Sequence, residues 1–367
     1  MKNLVISASI PVASTAGINI SMNPVIVAGA AASASGQEVL QFFTSSGWIG
    51  TLGAIITMIL YPLLGYYLIV LGDKLKANSH RRALYHITGR YAGPIIDILI
   101  VFFLFGVAVV MVAGAGSLVA QQFGLPAIIG NIALTILIML VMTLGLNKIV
   151  TVISWITPFA FLLIIIIAIY SLFISSTDIS TLESVATEQL SASPHWLLSA
   201  LLHVSFNIVI AFGIMMMIGA REKDKKAAKR GAILGGLVLG LIALIINLAV
   251  YANIDVLQYA EMPMLLLADQ FHPVLGALME LALFGMILST AVPCLYTVGA
   301  RFIQADTRNF KIGAVVLSIV AFSLSFVGFT QLVNTVYPLQ GYVGFVLLAG
   351  LLINVFRTKG QADNMLH

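Results

Sequence analysis

The hydrophobic pattern of the chain is a succession of apolar runs of about 20 residues, the length that carries an α-helix across a hydrocarbon layer about 30 Å thick. Ten runs are read: 16–43, 48–71, 94–120, 127–144, 149–172, 196–220, 232–252, 274–300, 312–327 and 336–356. The first is unlike the others. Between Ala28 and Ser35 it holds only alanine, glycine and serine, and Gly36, Gln37 and Glu38 follow before the apolar pattern resumes. Irregular backbone at membrane depth survives only where it is buried in protein or lines a wet cavity. The pattern therefore predicts a membrane helix that breaks near Gly36, with the loosened backbone as the floor of a binding site. Residues 1–15 carry one lysine and a short apolar run broken by serine and proline, so they read as a cytoplasmic or interfacial lead-in without a cleavable signal peptide.

Composition agrees with the runs. Hydrophobic residues make up 60% of the chain and charged residues 9%, whereas a soluble domain carries about a quarter charged residues. The class is an all-α polytopic membrane protein. Cys294 is the one cysteine, so there is no internal disulfide, and no Cys/His cluster has metal-ligand spacing. No cofactor is expected. The net charge of +4 is an orientation signal rather than a mark of nucleic-acid binding. Every Lys and Arg falls in 1–15, 74–90, 148, 221–230, 301–311 or 357–367, all on one side of a ten-span chain. The positive-inside rule then puts both termini in the cytoplasm. The blocks at 74–90 and 221–230 read as contacts to anionic lipid or as plain solvated loops. The outward loops are acidic, and one carries an amphipathic piece, 263–271, that reads as a lid over an outer vestibule or as an interfacial helix.

Ten spans divide into repeats of five, 16–175 and 196–356, joined by an extracellular loop 176–195 and followed by a cytoplasmic tail 357–367. Equal halves with an odd number of spans are inverted relative to each other, as in many secondary transporters. Span six should then break where span one does, and His203-Val204-Ser205-Phe206-Asn207 supplies a polar interruption there, without Gly or Pro. The spacings Gly231-x-x-x-Gly235 and Gly236-x-x-x-Gly240 suit a helix packing face.

Broken helices expose amides that favour anions and carbonyls that favour cations. The amides around Ser35, Gly36 and Gln37, with the hydroxyls of Ser33 and Ser35, are candidate carboxylate ligands. The carbonyls of 28–31 are candidate cation ligands. Ser289 and Thr290 in span eight are adjacent hydroxyls that could complete a Na⁺ site or merely bond back to their own helix.

The string Ala34-Ser35-Gly36-Gln37-Glu38-Val39-Leu40-Gln41-Phe42-Phe43, followed by Gly47, resembles the first-helix signature of the bacterial YkvI-type membrane proteins, relatives of the amino acid-polyamine-organocation transporters. Where that family reads Gly-Ala-Gly-Phe ahead of the motif, this chain has Ala30-Ala31-Ala32-Ser33. The resemblance implies the LeuT fold, a five-plus-five inverted repeat with helices one and six discontinuous. It also implies a substrate site between spans one, three, six and eight, and an ion site between first-helix carbonyls and the pair Ser289 and Thr290. The candidate substrate residues are Ser33, Ser35, Gly36, Gln37, Glu38, Phe105, Ser205, Phe206 and Asn207; the candidate Na⁺ ligands are Ala28, Ala31, Ser289 and Thr290.

Intramembrane acids are costly and usually functional. Glu38 is a candidate proton or substrate group, or a cap for the second half-helix; Asp97 reads as structural, and Glu280 as a vestibule or proton-path group. His203 is a candidate gate or a fixed hydrogen-bonding group. The expected function is Na⁺-coupled transport of an amino acid or a related amine or carboxylate by alternating access. The alternatives are proton coupling through Glu38 or Glu280, an ion channel or pore, and a membrane enzyme, the last of which needs Glu38, His203 and Glu280 to converge.

Overall fold

The computed structural model describes residues 34–76, 80–144, 146–174, 178–304 and 307–363. These are helical almost throughout. A short α1 (Gln37–Phe42) leads through a 3₁₀ turn (Thr44–Ile49) into α2 (Gly50–Leu75), α3 (His80–Phe123), α4 (Ile128–Leu144) and α5 (Leu146–Ile174). After α6 (Ile179–Thr187) come α7 (Trp196–Arg221), α8 (Lys225–Ala252), α9 (Ile254–Leu257), α10 (Pro263–Phe271), α11 (Pro273–Phe302), α12 (Arg308–Ser325) and α13 (Phe329–Asp363). Among the described residues seven helices, α2, α3, α7, α8, α11, α12 and α13, are long and apolar enough to cross a membrane, and α4 and α5 hold shorter apolar stretches, 128–143 and 159–174. These coincide with nine of the expected runs. The first run is described only from Ala34 onward.

The helices sort their faces as a bilayer demands. On α3, Ile95, Ile98 and Phe102 point outward while Ile96, Ile100, Phe103, Leu104 and Val107 are buried. An apolar stripe at helical spacing on the outside of a packed bundle is stable only against hydrocarbon. The basic segments gather at one end. Lys225 at the start of α8 pairs with Asp73 at the end of α2 (2.9 Å), and Arg301 at the end of α11 pairs with buried Asp97 of α3. Part of the expected 74–90 loop is helical, since α3 begins at His80 and bends at Gly89.

One expectation fails. α7 runs without interruption from Trp196 to Arg221, so span six is not discontinuous at His203–Asn207. With neither Gly nor Pro to free the backbone, the polar side chains bond within and across helices instead. Asn207 Nδ2 donates to the carbonyl of His203 one turn earlier (3.0 Å), and the ladder stays closed.

Small residues set the distances between helices. A Cβ on Gly236 of α8 would lie 2.5 Å from the backbone nitrogen of Pro62, and one on Gly240 would lie 2.3 Å from Cα of Met58. The second of the two glycine pairs is thus the seam between α8 and α2, and it fixes the position of Tyr61. Gly341 and Gly344 likewise let α13 approach the backbone of α7 at Leu202 and Ser205. Gly236→Val meets backbone that no rotamer can avoid. It should cost about 1–3 kcal/mol, read as a lower melting temperature of the purified protein, whereas Val at exposed Leu237 should leave it within error.

Candidate functional site at the start of α1

Ala34, Ser35 and Gly36 form a turn and bend ahead of α1, and Gly36 sits in the left-handed region (φ +85°, ψ −18°), closed to most side chains. Helical bonding begins there, with the Leu40 amide donating to the Gly36 carbonyl (2.9 Å). The carbonyl of Ser35 accepts instead from the Met264 amide at the start of α10 (3.0 Å). A Cβ on Gly36 would sit 3.1 Å from both Pro263 and Met264 side chains, so the glycine is needed for approach as well as for conformation. The amphipathic piece 263–271 is therefore docked over the turn ahead of α1, with Pro263, Met264, Leu265, Leu267 and Ala268 buried. Gln121 at the end of α3 holds it there: its amide donates to the Met262 carbonyl and its oxygen accepts from the Met262 amide, each at 3.0 Å.

The loosened backbone differs from expectation in one detail. The Gln37 amide, a candidate anion donor, is directed to the Ser35 hydroxyl oxygen (3.3 Å), so both are partly engaged with each other. Ser33, Ala28 and Ala31 lie outside the described residues.

The centre of the site is an acid and an imidazole. Oε1 of Glu38, in the first turn of α1, lies 2.5 Å from Nε2 of His203 on α7, and both side chains are completely buried. The Tyr61 hydroxyl of α2 lies 2.7 Å from Nδ1 of His203 and 3.4 Å from the His203 carbonyl. Phe42, Phe43 and Phe206 wall the imidazole edge-on at 5.3, 4.7 and 5.6 Å between ring centres. An isolated buried carboxylate costs several kcal/mol or more. The imidazole lies against that carboxylate, and with Tyr61 on its other ring nitrogen it ties α1, α2 and α7 together.

Beside it stand polar atoms that lack a hydrogen-bond partner among the described residues: Oε1 of Gln37 and Gln41 on α1, Oγ of Ser205 and Oδ1 of Asn207 on α7, and the Tyr337 hydroxyl with both amide atoms of Gln340 on α13. All these residues are buried, and α1, α7 and α13 pack on one another. Tyr337 stacks on Phe206 (5.0 Å, 7° between planes), and Phe206 on Phe42 (5.9 Å, 23°). A buried polar group left unsatisfied costs about 1–3 kcal/mol. Several together on three touching helices make a place where water or a polar solute is stabilised.

Other candidates are bonded or packed to other partners. Ser289 and Thr290 are adjacent and buried on α11, and each donates to the Met286 carbonyl of its own helix (2.7 and 3.1 Å). Phe105 is partly buried in core packing and makes none of the ring contacts described around His203. Glu280 lies 14 residues from Cys294 on the same helix, about 21 Å along the axis, and Cys294 is the α11 residue within electrostatic reach of Tyr337. Four polar residues of the site were not singled out from sequence: Gln41, Tyr61, Tyr337 and Gln340. The available signal was polarity within apolar runs, Tyr337 and Gln340 being one helical turn apart in span ten.

The geometry has parallels among solved structures. The chain is similar to MhsT in complex with L-phenylalanine, with a TM-score of 0.62 over 88% of this chain and 87% of that one at 16% identity. It is similar to inward-facing Mhp1, with a TM-score of 0.64 over 89% and 73% at 13% identity, and to a manganese transporter from Eremococcus coleocola, at 0.56 over 90% and 78% at 15% identity. The shared fold is the LeuT fold, and a multi-pass membrane permease rather than an enzyme is the class it belongs to. More particularly, a family model described as spore germination protein matches residues 19–295, and the chain belongs to this spore permease family. Its relatives include YkvI of Bacillus subtilis (strain 168), an uncharacterized membrane protein 28% identical over 322 residues, 87% of this chain and 90% of YkvI. YyaD of the same organism is 25% identical over 326 residues, 89% of this chain and 93% of YyaD. The resemblance of the Ala34–Phe43 string to YkvI-type proteins is thus borne out.

Removing one member of the central pair leaves its partner buried without compensation. Glu38→Ala and His203→Ala should each cost about 3–5 kcal/mol, and the double variant much less than their sum. A double-mutant cycle on thermal unfolding in detergent checks this; additive losses would mean that the pair does not interact.

Proposed function

We propose that the chain carries a small organic solute with polar ends, an amino acid or a related amine or carboxylate, across the bacterial cytoplasmic membrane by alternating access, with both termini cytoplasmic. The observation behind this reading is the set of partnerless amide, hydroxyl and phenol groups on α1, α7 and α13 beside aromatic walls. Such groups suit a solute that brings its own donors and acceptors. The likeness in fold to MhsT, solved with L-phenylalanine, favours an amino acid. Gln37, Glu38, Ser205, Phe206 and Asn207 are the proposed substrate contacts, joined by Gln41, Tyr337 and Gln340. The backbone of Ser35 and Gly36 forms the hinge beneath α10.

For the ion, Na⁺ at the carbonyls of Ala28 and Ala31 and the hydroxyls of Ser289 and Thr290 is the proposed coupling site. Each hydroxyl spends its hydrogen on Met286, so its oxygen lone pairs stay available to a cation.

A melting-temperature screen of the purified protein against amino acids, amines and nucleobases, with and without Na⁺, tests both parts. A ligand at about 100 times its dissociation constant adds about 2.7 kcal/mol of stability, so a binding solute raises the melting temperature measurably. Replacing Ser289 and Thr290 together by Ala should remove any Na⁺-dependent rise and leave the Na⁺-independent part. In proteoliposomes the hit should show saturable uptake driven by an ion gradient; conductance without saturation would mean a pore.

A further inference from the structure

Glu38, His203 and Tyr61 have a property that solute binding alone does not require: a carboxylate oxygen lies against one ring nitrogen of the imidazole and a hydroxyl against the other. Its Nε2 faces a carboxylate oxygen at 2.5 Å. Its Nδ1 faces a hydroxyl, a group that both donates and accepts. With neutral imidazole carrying its hydrogen on Nε2, Tyr61 donates to Nδ1. With imidazolium, Nδ1–H donates to the Tyr61 oxygen and the hydroxyl hydrogen turns elsewhere. An acceptor is within reach, the His203 carbonyl at 3.4 Å. A histidine held in one fixed state needs no such rotor.

We infer that Glu38, His203 and Tyr61 form a proton-binding site beside the solute site, in which His203 takes up and releases one proton at Nδ1. The balance is simple. Carboxylate with neutral imidazole carries a net charge of −1; one proton added at Nδ1 gives carboxylate with imidazolium and no net charge. In a buried site the uncompensated state is the expensive one. A solute that brings positive charge against Glu38 therefore displaces the proton, and one that brings negative charge carries it along. The titratable side chains facing the pair from the surrounding helices are Tyr61 on α2 and Tyr337 on α13, with Cys294 on α11 behind Tyr337. The acids of α3 and the tyrosine of α8 engage elsewhere: Asp97 pairs with Arg301, and Tyr251 donates to Glu183 (2.8 Å). The pair is thus the charged group of this core among the described residues.

The link between proton and solute rests on the proposed transport; proton binding itself does not, so the test uses no solute. In protein labelled with ¹⁵N at histidine and held in lipid nanodiscs, the His203 ring signals are assigned by their loss in His203→Gln. They are then followed from about pH 5 to about pH 8, the range in which an imidazole changes charge. The wild-type ring should show a one-proton transition at Nδ1. In Glu38→Gln, which keeps the shape but not the charge, the ring should remain neutral throughout. In Tyr61→Phe, with the acceptor for Nδ1–H gone, the transition should move to lower pH by about one unit. A wild-type ring that does not change across the range overturns the inference without recourse to any variant, as does a Glu38→Gln protein that titrates like wild type. A titrating His203 in a protein that binds no solute in the melting screen would sink the transport reading and leave the proton site standing.

Discussion

A carboxylate at the middle of a membrane protein must meet a compensating charge or remain protonated, and the cost of doing neither exceeds the net stability of most domains. Glu38 lies against the imidazole of His203. The carboxylate reaches the imidazole from the first turn of α1, which starts just after Gly36 in its left-handed backbone conformation. The carbonyl of Ser35 is satisfied from outside the helix, by the amide of Met264. The turn at Gly36, the docked α10 and the acid–imidazole contact thus meet at the start of α1.

The helices around the pair are held to matching distances by glycine seams. α8 presses on α2 through Gly236 and Gly240, and α13 on α7 through Gly341 and Gly344. The first seam carries Tyr61 to His203; the second brings Tyr337 onto Phe206 and Gln340 into the same buried layer. Van der Waals packing between small residues is what associates helices in lipid, where burial of apolar surface gives no advantage. Polar side chains brought together by those seams are buried without hydrogen-bond partners among the described residues, at a cost that water or a polar solute would relieve. The opposite ends of the bundle are joined differently, by Asp73–Lys225 and Asp97–Arg301 where the basic segments gather, and by α10 with Gln121 at the other end.

Much of this architecture was legible in the sequence because hydropathy and charge act residue by residue. Nine of the apolar runs became helices, 263–271 became a helix with those bounds, and α1 starts directly after Gly36. The interruption expected in span six did not form, since His203 and Asn207 found partners that left the ladder intact. Polarity predicts where a helix needs a partner; whether that partner comes from the backbone or from a neighbour depends on tertiary packing. The meeting of Glu38 with His203 was hidden for the same reason. Their separation along the chain carries no trace of the contact, and Tyr61 looked like one aromatic among many in an apolar run.

The central claim is a contact between one carboxyl carbon and one imidazole nitrogen. Dipolar-recoupling solid-state NMR on protein labelled with ¹³C at the glutamate carboxyl and ¹⁵N at the histidine ring measures it in lipid, with Glu38→Gln as the control that removes the coupling. The account predicts a Glu38–His203 separation within about 4 Å, the range of a direct ion-pair contact. A separation beyond about 6 Å, where two groups no longer interact at close range, would contradict it.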